Sequence, residues 1–155
     1  MLELQNIFPE IFLTLLLLFL LVFGVFLKDP FTLIKKITIS GMLVCIPLVY
    51  LNFDNQILIF DKNYSINIFS NLLKIIILLS CIFCLVFTGQ YLKRINLEKF
   101  EYMILILSST IGMFVMVSAN NLIGLYLGIE LQSLSLYVLS SIDRKSLKSS
   151  ESGVK

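Results

Sequence analysis

Five long apolar runs dominate this chain and leave few choices for its fold. They cover residues 11–27, 37–51, 66–92, 102–119 and 121–141, and a membrane-spanning helix needs roughly 20 such residues. Hydrophobic residues make up 58% of the chain, whereas soluble domains contain about 45–50% apolar residues. The mean hydropathy is +0.97. The sequence therefore predicts an all-α integral membrane protein with about five transmembrane helices in a single transmembrane region.

The segments between the runs carry the information on topology. Residues 52–65 are too polar to span a membrane, and their alternating apolar residues predict a short surface hairpin. Residues 142–155 are predicted to form a basic loop on the inner side. Of the 12 lysines and arginines, ten follow the first, third and fifth runs, Lys62 lies on the opposite side, and Lys74 lies within the third run. Because positive charge marks the inner side, we expect an external N-terminus and an internal tail.

The composition offers little for cofactor or nucleic-acid chemistry. The chain has no histidine, which removes the commonest metal ligand, and its net charge of +2 gives no reason to expect nucleic acid. Cys45, Cys81 and Cys84 lie inside apolar runs. They are interpreted as small buried hydrophobic residues, with a zinc or redox site at Cys81 and Cys84 as a remote alternative. We therefore expect no metal, no cofactor and no nucleic acid.

A glutamate in the middle of the fifth run is the strongest candidate for function. The run 121–141 contains a single acidic or basic residue, Glu130, which lies at its tenth position. A charge at the bilayer centre costs about 2.5–3.5 kcal/mol and by default marks an ion or proton path. Tyr126, Ser133 and Tyr137 share its helix face, which predicts an inward, polar face. The alternative is a protonated structural glutamate that is hydrogen-bonded to a neighbouring helix.

Four further charged residues are candidates, and the first of them has two interpretations. Lys74 lies about nine residues into the third run, where its stem either reaches the outer interface or the residue is a buried relay lysine. Glu101 opens the fourth run, where a carboxylate at a helix N-terminus is favoured. Glu151 and Lys155 are four residues apart and would pair on one helix face, although such a pair in an exposed tail would mean little.

The segment SANNLIGLYLGIELQSLSLYVLSSIDRKSLKSSESGVK, residues 118–155, resembles the antiporter-like second membrane subunit of proton-pumping NADH:quinone oxidoreductase, respiratory complex I. Its relatives include the chloroplast equivalent, which carries a similar segment. Residues 60–118 match loosely, and residues 1–59 match as apolar spans. Ten residues of this sequence fall in register with the motif of the family: Asn120, Leu122, Leu127, Gly128, Glu130, Leu131, Ser133, Leu134, Glu151 and Lys155.

The resemblance implies a role for four of the charged residues. It places Glu130 on a hydrophilic axis across the membrane, Lys155 on the next helix and Glu151 one turn before it, and it raises Glu101 to a recurring glutamate of the fourth span. These four residues would form a proton pathway. The chain would be a core membrane-arm subunit of NADH:ubiquinone oxidoreductase that contributes to proton translocation. The chain itself would bind no cofactor and would catalyse no reaction alone.

The resemblance also implies partners and a location. The first ten residues hold no Lys or Arg, which fits neither a secretory signal nor a transit peptide. The bias towards Ile, Leu, Phe, Asn and Lys suits an AT-rich organellar genome. We therefore expect the mitochondrial inner membrane, with the N-terminus towards the intermembrane space and the C-terminus towards the matrix. Its partners would be membrane lipid and the other membrane-arm subunits of complex I.

The resemblance covers only the N-terminal part of an antiporter-like fold. Family members have about fourteen spans, and residue 155 falls at the threshold of the sixth. The lysine of the seventh span, which faces the fifth-span glutamate, is absent. We therefore expect a split subunit that is completed by a second polypeptide. Two alternatives are a structural membrane subunit without proton transfer and a fragment of a related cation/proton antiporter. In a purely structural subunit, Glu130→Gln would be silent.

Overall fold

The computed structural model describes residues 6–27, 30–53, 57–60, 62–94, 97–143 and 147–154. Five of its helices are long and apolar enough to cross a membrane, which confirms the predicted all-α membrane fold. In chain order the elements are α1 (Phe8–Phe26), α2 (Pro30–Leu51), β1 (Ile57–Ile59), β2 (Tyr64–Ile66), α3 (Ile68–Arg94), α4 (Glu101–Ser118), α5 (Leu122–Ser140) and α6 (Leu147–Val154).

Helices α1 to α5 run alternately up and down, so the bundle has two distinct ends. At the hairpin end, Asn52 Nδ2 donates to the carbonyl of Asn6 at 3.5 Å, beside the β1–β2 hairpin and the connection at residues 119–121. At the basic end, Lys99 Nζ donates to the carbonyl of Ile142 at 2.7 Å, which joins the α3–α4 and α5–α6 connections. The basic end holds Lys35, Lys36, Lys93, Arg94 and Lys99.

Local sequence accounts for where the helices begin. Pro9 and Pro30 lie in the first turns of α1 and α2, where the missing N–H of proline is not needed. Asn121 caps α5, and its side chain accepts a hydrogen bond from Gly124 N at 2.7 Å. Helix α2 begins at Pro30, before the predicted start at residue 37. Lys35 and Lys36 lie in this first part of the helix, and their apolar stems allow it to continue into the membrane interface.

Helix α4 lies at the centre of the bundle. It packs against α1, α2, α3 and α5, and half of its most apolar window is buried. Met103, Leu107, Thr110 and Phe114 are fully buried along it. The Thr110 hydroxyl donates to the carbonyl of Leu107 at 2.6 Å, so this polar group is satisfied within its own helix.

The predicted surface hairpin is present and is fixed to the α4–α5 connection. Strands β1 and β2 pair antiparallel. Tyr64 forms a backbone bridge with Ala119, and Asn120 N donates to the carbonyl of Asn63 at 2.9 Å. The hairpin therefore covers the end of the bundle and is tied to the start of α5.

A short helix occupies part of the region predicted as a basic loop at 142–155. Helix α6 packs against the end of α5, and the Ser149 and Ser152 hydroxyls donate to the carbonyl of Ser140 at 2.7 and 3.3 Å. A side-chain donor there satisfies one of the carbonyls that a helix C-terminus leaves open.

Candidate functional site

A buried ion pair joins α1 to α3 near the hairpin end. Glu10 lies in the first turn of α1, and Lys74 lies in the second turn of α3. Lys74 Nζ is 2.6 Å from Glu10 Oε1, and the two side chains are only 2% and 9% exposed. The sequence left open whether Lys74 reaches the interface or is buried. The structure buries it, because a carboxylate on a neighbouring helix meets its ammonium group.

Two aromatic side chains complete the surroundings of the pair. The Tyr64 hydroxyl donates to Glu10 Oε1 at 2.7 Å. Lys74 Nζ lies 5.5 Å from the ring centroid of Tyr64 and 5.8 Å from that of Phe114, within the range of a cation–π interaction. Burial raises the pKa of Tyr64 well above its usual range, and the nearby Glu10 carboxylate raises it further. The phenol therefore stays protonated and remains a donor to Glu10.

One oxygen atom of the Glu10 carboxylate can still accept a hydrogen bond. Glu10 Oε2 is buried and has no hydrogen-bond partner among the residues that the structure describes. Oε1 accepts from both Lys74 and Tyr64. Since a carboxylate accepts hydrogen bonds through both of its oxygens, Oε2 can accept a further donor while Oε1 keeps its contacts with Lys74 and Tyr64.

Sequence reasoning missed Glu10, although a signal for it was present. With alternating spans, the first and third helices begin on the same side of the membrane. Each carries one charge within its first two turns, and the two charges have opposite signs: Glu10 and Lys74. A buried charge is tolerated when it is paired, and the long lysine side chain spans the one-turn difference in depth, so the opposite charges predict the contact.

Glu130 lies near the middle of α5 on a face that this chain leaves uncovered. It is the ninth of 19 residues in the helix. The predicted face is present, but it points away from the bundle: Glu130 is exposed, and Tyr126 and Tyr137 are 61% and 55% exposed. The Glu130 carboxylate contacts no hydrogen-bond or ion-pair partner among the described residues; Ser133 Oγ donates only to its backbone carbonyl. The inward orientation expected from the sequence therefore does not hold within these helices.

Small residues determine which face of α5 packs on α4 and which face points away from the bundle. Gly112 of α4 and Gly128 of α5 meet so closely that a Cβ on Gly128 would lie 2.8 Å from Met116 N and 2.9 Å from the Gly112 carbonyl oxygen. Ser135 Oγ adds a hydrogen bond to Ser108 Oγ at 3.1 Å. Such small-residue contacts are typical of membrane helix pairs. Since Gly128 and Glu130 are about 160° apart around the helix, the close contact with α4 turns Glu130 outward.

Two other predicted site residues, Glu101 and Glu151, lie at the basic end. Glu101 is exposed in the first turn of α4 and lines a small cavity of about 160 Å³ with Lys99 and Ile142. Glu151 is exposed on α6. Lys155 lies outside the described residues. The structure brings neither Glu101 nor Glu151 into contact with the Glu130 carboxylate.

These features define a multi-pass helical membrane protein with ionisable groups inside its spans. The family described as NADH:quinone oxidoreductase/Mrp antiporter, TM, matches residues 119–155. The chain is 42% identical over 154 residues to NADH-quinone oxidoreductase subunit N of Pelagibacter ubique, covering 99% of this chain and 33% of that protein. It is 41% identical over 150 residues to subunit N of Rhodospirillum rubrum, covering 95% of this chain and 31% of that protein.

The fold has a counterpart among solved structures. A chain in the structure of respiratory complex I from Thermus thermophilus superposes with a TM-score of 0.75 at 19% identity, over 94% of this chain and 31% of that chain. Together with the family match at residues 119–155, this similarity confirms the predicted antiporter-like membrane fold. The chain spans about a third of the length of the curated relatives that it matches.

Proposed function

We propose that this chain forms part of a membrane-arm subunit of a proton-translocating NADH:quinone oxidoreductase. The observation that carries the proposal is the position of Glu130, a carboxylate halfway along α5 on a face without a partner in the described residues. Its segment lies within the match to the antiporter family. NADH oxidation and ubiquinone reduction belong to other subunits of the complex, and this chain contributes to proton movement without a cofactor of its own.

The proposed role of Glu130 is to take up and release a proton as its surroundings change. When further helices cover the face, removal of water favours the neutral carboxyl, while a facing lysine favours the carboxylate. A group balanced between these influences changes its proton occupancy when the lysine moves. The tyrosines and Ser133 on the same face supply hydrogen-bonding groups along the path.

The remaining charged residues are proposed to extend this pathway. Glu101 at the start of α4 and Glu151 on α6 lie at the basic end, which is proposed to face the inner side. The resemblance to the family supports their participation and that of Lys155. Glu10 and Lys74 add a charged pair near the opposite end of the bundle. The pathway would thus have ionisable groups towards both membrane surfaces, with Glu130 between them.

The test is Glu130→Gln in the fully assembled complex. Glutamine keeps the shape and hydrogen bonding of the side chain but carries no proton, so we expect normal assembly and a fall in proton pumping of about tenfold or more. Proton uptake by vesicles that contain the mutant complex, driven by NADH, measures the effect. The matched control is Glu98→Gln, which removes an exposed carboxylate outside the helices and should leave pumping unchanged.

Two other results would point to the alternatives. Normal pumping with Glu130→Gln would make the glutamate a structural hydrogen-bonding residue and would favour a structural membrane subunit. The matched family also names the Mrp antiporter, which supports a cation/proton antiporter as the second candidate. In that case a sodium gradient, and not NADH, would drive the Glu130-dependent proton movement.

The helices that cover Glu130 are proposed to lie outside these 155 residues. The relatives are about three times as long as this chain, so they have room for such helices. The split-subunit prediction is that these helices belong to a second polypeptide. Mass spectrometry of the intact complex tests it, and a single full-length chain that contains this sequence would contradict it.

The membrane and the orientation are also proposals. The named relatives are bacterial proteins, while the composition favours the mitochondrial inner membrane. The lysines and arginines gathered at the basic end support an orientation with that end towards the matrix.

A further inference from the structure

A groove between α2 and α3 at the basic end collects positive charge. It has a volume of about 360 Å³, and Lys35, Lys36 and Lys93 line it together with the polar side chains of Thr32 and Gln90. No carboxylate of the described residues lines it. Three ammonium groups around one small groove repel each other, so an anion bound among them relieves that repulsion.

One of these lysines reaches across the groove, because a glycine leaves room for its side chain. Lys35 Nζ donates to the carbonyl of Val86 on α3 at 3.2 Å. The side chain passes directly over Gly89, where an added Cβ would overlap its ammonium group and would lie 2.7 Å from its Cε. Because an ammonium group has three donors, two remain for an anion after the contact with Val86.

The groove lies at the depth of the lipid headgroups. Lys35 is one to two turns from the start of α2, and Lys93 is in the last turn of α3. Helix α3 has 27 residues, which corresponds to about 40 Å, whereas the hydrocarbon core of a bilayer is about 30 Å thick. The last turn of α3, which carries Lys93, therefore extends past the hydrocarbon. Ile39 lies one turn nearer the membrane core than Lys35 and gives the groove an apolar wall on that side, and Phe31 adds a second apolar side chain to the lining.

We propose that this groove binds the phosphate of an anionic phospholipid. The charge of the lining selects an anion, and the depth and apolar walls select one that carries acyl chains. Basic pockets between transmembrane helices bind such headgroups in other membrane proteins. The site lies at the opposite end of the bundle from the Glu10–Lys74 pair and does not involve Glu130, so it is independent of the proposed proton pathway.

The test uses the native complex in phosphatidylcholine vesicles that contain a photoactivatable phosphatidylglycerol. After illumination, mass spectrometry identifies the labelled peptides, and we expect label on the peptides that contain residues 31–39 and 89–93. Each lysine near a membrane surface contributes about a fivefold gain in anionic-lipid binding. Lys93→Gln should therefore reduce the labelling about fivefold, and the double change Lys35→Gln/Lys93→Gln about 25-fold.

Arg94→Gln is the matched control. It removes one positive charge from the next residue, which is exposed at the same end but does not line the groove, so it should reduce the labelling less than Lys93→Gln does. Equal losses in the two variants would show diffuse attraction and overturn the site. Equal labelling by a photoactivatable phosphatidylcholine would overturn selection by charge. Competition by millimolar inorganic phosphate would show a site for a free anion and overturn the lipid as its ligand.

Discussion

The Glu10–Lys74 pair makes the loss of one charge very different from the loss of both. Lys74→Met keeps most of the volume of the side chain but leaves a buried carboxylate without its cation, and we expect a loss of about 3–5 kcal/mol in the free energy of unfolding. The double change Glu10→Gln/Lys74→Met should recover most of this loss, since replacing a whole buried pair is often nearly neutral. Thermal unfolding of the purified full protein in detergent measures both effects.

Lys62→Met is the control for this pair of variants. Lys62 is an exposed lysine at the same end of the bundle, so its loss should change the free energy of unfolding by less than about 0.5 kcal/mol. If Lys74→Met unfolded at the same temperature as Lys62→Met, the buried pair would not contribute to stability. This outcome would return Lys74 to the interfacial interpretation, in which its removal has the least effect.

Among the helices, the closest contact is between α4 and α5 at Gly112 and Gly128. Gly128→Ala places a methyl group against backbone atoms of α4 that cannot move separately, so we expect the helices to be forced apart at a cost of about 1–3 kcal/mol. The displacement also rotates the face that carries Glu130. Thermal unfolding and a distance measurement between spin labels on α4 and α5 would record the two effects.

Gly41→Ala in α2 is the matched substitution. The added methyl group there meets only the side chain of Leu16, which can turn away, and alanine favours a helix over glycine by about 1 kcal/mol. We therefore expect little change or a small gain in stability. Equal destabilisation by the two alanines would contradict a special role for the Gly112–Gly128 contact.

The sequence predicts the five transmembrane helices, because each of them carries its own apolar signal. It predicts side-chain partners less well, since a partner on another helix leaves no periodic pattern. Lys74 was recognised as unusual, but its partner Glu10 was not. For Glu130 the helix face was predicted, but its direction was not. That direction depends on Gly128, whose missing side chain has no hydropathy signal but permits the closest packing.

At the scale of the whole molecule, the two ends of the bundle differ in charge, and this difference predicts its orientation. A cysteine introduced at position 148, in a variant that lacks Cys45, Cys81 and Cys84, should react with a membrane-impermeant reagent from the inner side of sealed vesicles. A cysteine at position 62, in the hairpin, should react from the outer side. The physical reason is that positive loops stay on the side where the chain is made.

Vesicles of inverted orientation provide the control for the labelling. In them the reactivity of the two positions should exchange, while permeabilised vesicles should label both. Reaction of position 148 from the outer side of right-side-out vesicles would contradict the proposed orientation.

The ion pair between the first and third helices also has a consequence for biosynthesis. Glu10 leaves the ribosome 64 residues ahead of Lys74, which at about 5–20 residues per second means roughly 3–13 s. During this interval the first helix carries a carboxylate whose cation has not yet been synthesised. Release of the first helix alone into lipid is therefore less favourable than release after the third helix emerges, when the charges enter as a neutral pair. The contact thus favours insertion of the first three helices as one unit.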